Sequence, residues 1–510
     1  MTTATPLLQV KERIVGPRGI YSIDNEWYGY RSQFIYTIGL AGMPGFGVGC
    51  CPLEYLPSDI KPLSSGTYDI TREHPHFGNY IHVPSASIVC FMPSHYMDVQ
   101  ATGGTGAPTF GTAIVISDTQ SGNAVLPKAF SDNGGSLIGV FIDKYQCSNG
   151  KPDGSGTPNH TTGPGGTPLT GGIAISRPLS WPVSPIAQSG TLYSPFSLCN
   201  STALNAATTT PANNLGGVWA LVKSRGVDFA PCPLWIRGQI GFLALAHAQA
   251  LLDGSGNPIS GATSKAAWMD VAPYAPKGNN NNGADVNKTS LVFARTDLAG
   301  HTSGFAGQAS RAFTGAARIS GVAAVEHTTH NGQLSGIVDV NGNMYDTTPG
   351  LTAVGTGAGD FRLFPASAAW TSTTGNASIT GAAGVISLIA ESSASADDGI
   401  WFGSGGAAQY LVAHAGGTFH PSSAFASATK RAMTESIIPR QLGTSGTQTG
   451  TNIYGGDRFY SARVNDLLPL VGGNWLTGAD AGVFAVVLDL TSSFTGVTSV
   501  GARAVRLLSA

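Results

Sequence analysis

Three groups of residues in this 510-residue chain have types and spacings from which chemistry can be built, and its thiols come first. Cys50, Cys51, Cys90, Cys147, Cys199 and Cys232 all lie in the first half of the chain, and none follows. A thiolate is a nucleophile and a soft metal ligand, but adjacent Cys50-Cys51 is neither a C-x-x-C pair nor part of a zinc-ligand set. The even, dense spacing of a disulfide scaffold is missing too, so the expected state is reduced and buried. The second group is His327-Thr328-Thr329-His330. It offers two imidazoles at i, i+3 without a third ligand to complete a facial triad, and reads as a hydrogen-bonded loop. The third is Asp339-x-Asn341-x-Asn343, which alternates oxygen ligands as calcium loops do but lacks their bidentate Glu at the twelfth position. A turn network is the first reading and a structural calcium the second. No G-x-S-x-G, Walker loop or H-E-x-x-H occurs.

The elements that must hold these residues are unusual in composition. Charged residues are 11% of the chain, against about 25% in an average soluble domain, and there are 69 glycines. Hydrophobic residues, at 42%, are ample for sizeable cores. A net charge of −2 without a cluster of Lys or Arg gives no electrostatic footprint for nucleic acid or anionic lipid. The N-terminal text lacks a signal peptide's basic and apolar regions, and no run of about 20 apolar residues exists. The chain is expected to be made in a cytosol, without export by the standard route and without membrane insertion.

Along the chain, residues 1–85 read as a separate β-rich module, a small β domain or an attachment module that docks a larger assembly. Buried-strand runs follow at Ser85 to Pro93 and Leu137 to Tyr145, then a Gly/Pro-rich loop over 151–188. Helices are predicted over Val218 to Arg225 and Leu234 to Leu252, the second with Trp235, Ile236, Ile240, Leu243, His247 and Leu251 near one face. His247 is most simply a satisfied core histidine. Asn331 to Thr352 predicts a hairpin with its tight turn at Asn341-Gly342. Beyond it, about 353–460 is rich in Ala, Gly, Ser and Thr, with strand candidates at Val385 to Ile389 and Gln409 to Val412 that suggest a folded insertion.

Val340-Asn341-Gly342-Asn343-Met344-Tyr345-Asp346 resembles the Gly-Asn-Val-Trp-Glu-Trp signature of the formylglycine-generating-enzyme branch of the C-type-lectin fold. Four other segments resemble that family in its own order. They are the strand at Ser85 to Pro93, the strand Leu137 to Asn149, Val471-Gly472-Gly473-Asn474-Trp475, and the closing Gly501-Ala502-Arg503. Val471 stands where the family has arginine, and Ala502 where it has phenylalanine. Ser65 to Tyr96 is also similar to the lead-in of bacteriophage tail proteins that carry this fold.

The resemblance implies an α+β chain: an N-terminal mostly-β attachment domain over 1–85, then a C-type-lectin-like (formylglycine-generating-enzyme-like) domain over 86–510 with the insertion at about 353–460. It implies a phage virion protein, a tail-fibre or tail-tip subunit, that recognises a host-surface glycan or protein receptor. The alternatives are a structural virion component, such as a baseplate or capsid decoration protein, or a metalloenzyme of the formylglycine-generating type. The family's enzymes use a late cysteine pair that binds copper, and this chain has no cysteine after Cys232, so no catalysis and no cofactor are expected. A homotrimer among other tail proteins is the expected assembly. A surface of aromatic and small polar residues suits recognition, and the candidate contact residues are Trp401, Phe402, Tyr410, Tyr454, Asn474, Trp475 and Phe484.

Overall fold

A computed structural model describes residues 15–16, 19–20, 37–63, 71–99, 114–131, 136–150, 173–178, 182, 218, 221–250, 291–293, 316–318, 329–354, 360–363, 386–391, 399–401, 408–410, 428–438, 458–461, 468–474, 477, 481–488 and 500–509. The fold is sheet-rich α+β.

The seven residues Leu137–Asp143 are almost uniformly apolar, and all are buried. A strand with that text needs cover on both faces, and it lies inside a six-stranded sheet. From one edge the strands are Ala230–Pro231, Ala504–Ser509, Leu137–Asp143, Ser87–Pro93, Asn79–His82 and Ile60–Pro62. Val140 and Ile142 face the main core, while Ile138 and Phe141 face a second cluster with Tyr80, Val89 and Phe91. Strict alternation fails between Ile138 and Val140, where the pairing with Leu508 and Ser509 skips a residue. That slip is a β-bulge, which re-aims side chains by one position. Phe141 meets Tyr80 and Phe91 at ring distances of 5.3 and 5.2 Å.

Helix α1, Leu234–Ala250, packs on the main-core side. It is apolar all round instead of on one face, as suits a helix enclosed by protein. Two glycines let neighbours approach its axis. A Cβ at Gly238 would lie 2.3 Å from the Glu435 carbonyl oxygen, and one at Gly241 would lie 3.2 Å from that of Val483. Glu435 closes helix α2, Ala428–Glu435, whose Ala432 and Met433 enter the same core.

A second six-stranded sheet runs Ala408–Tyr410, Arg458–Ser461, Val486–Leu488, Leu470–Val471, Tyr345–Thr347, Val500–Gly501. A four-stranded sheet joins Leu351–Val354, Asp360–Leu363, Ile386–Glu391 and Gly399–Trp401.

Three expectations change. The boundary at residue 85 does not separate two bodies among the described residues. Ile60–Pro62 and Asn79–His82 are strands of the main sheet, and Ile38, Phe46, Val48 and Phe77 belong to the main core. The described residues of the proposed insertion at 353–460 are not a separable unit, because Ala408–Tyr410 and Arg458–Ser461 are ladder members of the second sheet and α2 fills the core. The hairpin is not a hairpin. Tyr345–Thr347 pairs antiparallel to Leu470–Val471 and parallel to Val500–Gly501, and Leu351–Thr352 begins a strand of the four-stranded sheet, so no two strands within Asn331 to Thr352 pair with each other. Residues 337–344 run as irregular backbone with positive φ at Asp339 (55°), Gly342 (83°) and Asn343 (63°), so the left-handed pair is Gly342-Asn343 and not Asn341-Gly342.

Candidate functional site

That irregular stretch has its backbone polar groups turned toward arginines instead of a partner strand. Arg503, fully buried, donates from Nη1 to the carbonyl oxygens of Asp143 (2.7 Å) and Lys144 (3.1 Å). Its Nη2 donates to those of Val338 (2.8 Å) and Asp339 (3.5 Å), and its Nε to Asp346 Oδ2 (3.3 Å). Arg237, on α1, donates to the Val340 carbonyl and lies 3.5 Å from the same Asp346 oxygen. Gln146 Nε2 bonds the Met344 carbonyl (2.8 Å) and Asp346 Oδ1 (3.2 Å), and Asn343 Nδ2 bonds Gln146 Oε1 (3.2 Å). The Gly342 amide reaches the Gly472 carbonyl at 2.7 Å.

A second buried pair abuts this centre. Arg225 grips both Asp143 oxygens, and Asp143 Oδ2 also accepts from the Ala504 amide (3.0 Å) and the Cys147 thiol (3.3 Å). Burial disfavours charge on either arginine, yet the facing carboxylates outweigh it: Asp143 raises the pKa of Arg225, and Asp346 with Asp339 raises that of Arg503. The carboxylates and carbonyls thus offset desolvation of fully buried guanidinium groups.

The thiols around this centre are quiet. Burial pushes Cys90 up to about 11 and Cys232 to about 12, and raises Cys51 and Cys147 well above the ordinary thiol range. A group held as a thiol is neither a strong nucleophile nor a ready metal ligand. Cys50, Cys51, Cys90, Cys147 and Cys232 are buried and in no disulfide, as the sequence predicts; Cys199 lies outside the described residues.

The calcium-like triplet serves the same centre. Asp339, Asn341 and Asn343 are all buried. Asn343 spends its amide on Gln146, and Asp339 is coupled electrostatically to Arg503. A guanidinium coupled to the carboxylate opposes a second cation there. Among the described residues, no group of three or more His, Cys, Asp or Glu could hold a metal ion. His330 donates from Nε2 to the Phe46 carbonyl (3.1 Å) and accepts the Ile337 amide at Nδ1 (2.9 Å), which fixes its tautomer. Burial depresses its pKa to about 3. It ties two loops together, and His327 lies outside the described residues. His247, likewise buried, accepts the Gly42 amide at Nδ1 (3.1 Å).

One constellation was not foreseen from the sequence. Asp59 Oδ2 lies 3.3 Å from His82 Nε2, and His82 Nδ1 lies 2.7 Å from Ser85 Oγ, the residue types of an acyl-transfer triad. Its orientation is reversed for that purpose. Ser85 is fully buried and bonded to Ser87 Oγ at 2.7 Å, while both oxygens of the 36% exposed Asp59 carboxylate accept from Arg506 Nη1. An acyl group has no route to the hydroxyl, and burial, aided by the Arg225 charge, lowers His82 to about 4. The available signal was His82-Val83-Pro84-Ser85, two polar residues on one turn of 3-10 helix.

The candidate contact residues divide sharply. Phe484 is corrected to core: it is 1% exposed and meets Phe242 edge-on at 5.5 Å, because the turn before the Val486–Leu488 strand lies over α1 at Gly241. Asn474 follows two glycines with φ of 95° and 76°, and its side-chain oxygen accepts from Thr477 Oγ1 at 2.9 Å. Thr477 Oγ1 also lies 3.3 Å from the hydroxyl of Tyr345, so the signature stretch and the Gly-Gly-Asn loop meet in one polar cluster. Tyr345 and Thr477 are partly exposed there, and neither was among the sequence candidates. Trp401 and Tyr410 lie on strands, Trp401 on an edge of the four-stranded sheet and Tyr410 on an edge of the second six-stranded sheet. Their side chains, and Phe402, Tyr454 and Trp475 entirely, lie outside the described residues.

What the fold and this centre define is a sheet-rich α+β protein closed by a buried arginine. No family model matches the chain, and no curated protein matches it. Among the described residues, no helix is long and apolar enough to cross a membrane.

Proposed function

We propose that this chain is a bacteriophage virion protein, a tail-fibre or tail-tip subunit, whose C-type-lectin-like domain recognises a receptor on the host surface without catalysing a reaction. The observation that carries the reading is the seat of Arg503. The closing Gly501-Ala502-Arg503 segment places its guanidinium on carbonyls of the Leu137 to Asn149 segment and of the signature stretch, while Gly342 bonds Gly472 of the Gly-Gly-Asn segment. Segments matched to the family by wording and order are thus joined through their own polar groups, as parts of one domain would be. Recognition is favoured over chemistry by the protonated thiols and by the partly exposed Tyr345 and Thr477, whose hydroxyls meet in one polar cluster with the buried Asn474. Trp401 and Tyr410, on edge strands of their sheets, are further candidate contacts.

The test is binding of the purified chain to cells of its host. Removing 353–455 would take α2 out of the core, so point variants are preferable. Tyr345→Ala with Thr477→Ala, and Trp401→Ala with Tyr410→Ala, are expected to reduce cell binding at least tenfold without changing the circular dichroism spectrum. Retention of full binding by both folded pairs overturns the reading. Stoichiometric copper or iron in the purified protein would instead support the enzyme alternative.

A further inference from the structure

The side chain of Lys144 ends inside the protein. The residue is 2% exposed, and its Nζ donates to Asn79 Oδ1 at 2.5 Å and to the Leu334 carbonyl. Both partners of the first contact are fixed. The Lys144 amide donates to the Ile88 carbonyl (3.1 Å), and its own carbonyl accepts from Arg503 (3.1 Å) and from the Val338 amide (2.9 Å). Asn79 is fully buried, and its Nδ2 donates to the carbonyls of Phe77 (2.9 Å) and Ser335 (2.8 Å), which leaves Oδ1 turned to the amine. A C=O bond is about 1.23 Å long, so Nζ lies no more than about 3.7 Å from Asn79 Cγ. Two groups held this close, each on a fixed backbone, are placed to react with each other.

An amine attacks a carbonyl only when uncharged, and removal from water disfavours an ammonium. The Arg503 guanidinium lies within electrostatic reach of His330 and Cys90, as Lys144 does, and repels a second cation there. Cys90 Sγ is 3.7 Å from Asn79 Nδ2, and burial keeps it a thiol, an acid beside that nitrogen.

We propose that Lys144 and Asn79 are a modification site, at which the folded chain joins their side chains in an isopeptide bond. The Nζ lone pair adds to Asn79 Cγ while the C=O electron pair moves to Oδ1; as C=O re-forms, the Cγ–Nδ2 bond breaks. Cys90 gives its proton to Nδ2 and recovers one from Nζ, so Nδ2 leaves as ammonia. One amide replaces another, and no oxidant, reductant or cofactor is consumed. Asn79 opens the strand Asn79–His82 and Lys144 follows Leu137–Asp143, so the bond spans Ser87–Pro93, the strand between them, and ties residues 65 apart in sequence. The inference does not depend on receptor recognition.

The test is the intact mass of the purified full chain, measured denatured. It should lie below the mass calculated from the sequence by one ammonia, and a tryptic digest should yield a branched peptide that joins the segments around Asn79 and Lys144 and is uncut after Lys144. Lys144→Met should restore the calculated mass. A wild type at the full calculated mass overturns the proposal. So does an ammonia deficit without the branched peptide, or one that persists in Lys144→Met, because succinimide formation at an Asn-Gly pair such as Asn341-Gly342 loses ammonia too. The branched peptide is sought in the wild type, so its presence or absence decides the question even where Lys144→Met fails to fold.

Discussion

Arg503 bonds four carbonyl oxygens and one carboxylate, all buried. Arg503→Met fills similar volume but leaves those acceptors unpaired. It is expected to cost about 3–5 kcal/mol, read as a lower urea midpoint. Arg503→Lys should recover little, because one ammonium cannot reach acceptors spread around a planar fork. Gly342, at φ +83°, is a smaller case: Gly342→Val should lower stability by about 1 kcal/mol or more, and an unchanged melting temperature would sink that assignment. At this scale the sequence was partly legible. His330 and His247 are satisfied as their surroundings in the text suggested, and Arg503 stood out in the closing triplet. Asp59–His82–Ser85 was hidden because Asp59 arrives from another strand, and no local spacing encodes that.

Elements were legible where one physical cause dominates. Leu137–Asp143 and Leu234–Ala250 are long apolar runs, and burial alone decides them. Asn331 to Thr352 misled because its turn residues are real but its carbonyls serve Arg503, over 160 residues away in sequence, and Arg237, 103 residues away. Packing of α1 against α2 was invisible, although Gly238 was the clue. Gly238→Ala would press a methyl against the Glu435 carbonyl and should cost about 1–3 kcal/mol in the same urea assay. The Glu435 side chain gives this contact a pH dependence. It accepts the Lys128 amide at 2.6 Å and has Arg431 at 3.7 Å, but burial raises its carboxyl from 4.5 to about 7. The protonated form is therefore the one the fold favours. Its contribution is complete below about pH 4.5 and is lost as pH rises through about 7. Glu435→Gln should lose less melting temperature than the wild type between pH 5 and 8; an equal loss would show that Glu435 does not titrate in this window.

For the molecule as a whole, buried histidines pull the other way. Burial lowers His82 and His95 to about 4 and His330 to about 3, from 6.5. The unfolded chain takes up these protons first, so their stabilisation is lost as pH falls from about 6.5 toward 3–4. Asp118, raised by burial to about 6, and Glu435 offset part of this. Among the described residues His74, also lowered by burial, adds to the loss, so the urea midpoint should fall between pH 6.5 and 4; a flat profile would contradict these protonation states. The main sheet also imposes an order of events on synthesis. Leu137–Asp143 lies between Ser87–Pro93 and Ala504–Ser509, and Asp143 and Arg503 are 360 residues apart. At ~5–20 residues per second, a ribosome takes roughly 20–70 s to travel between them. Throughout that interval an almost wholly apolar strand edge stands open on the nascent chain, a template for any other strand nearby. Production of this protein therefore depends on what shields that edge during translation, and a message cut just before Ala504 should yield aggregate rather than a shorter soluble protein.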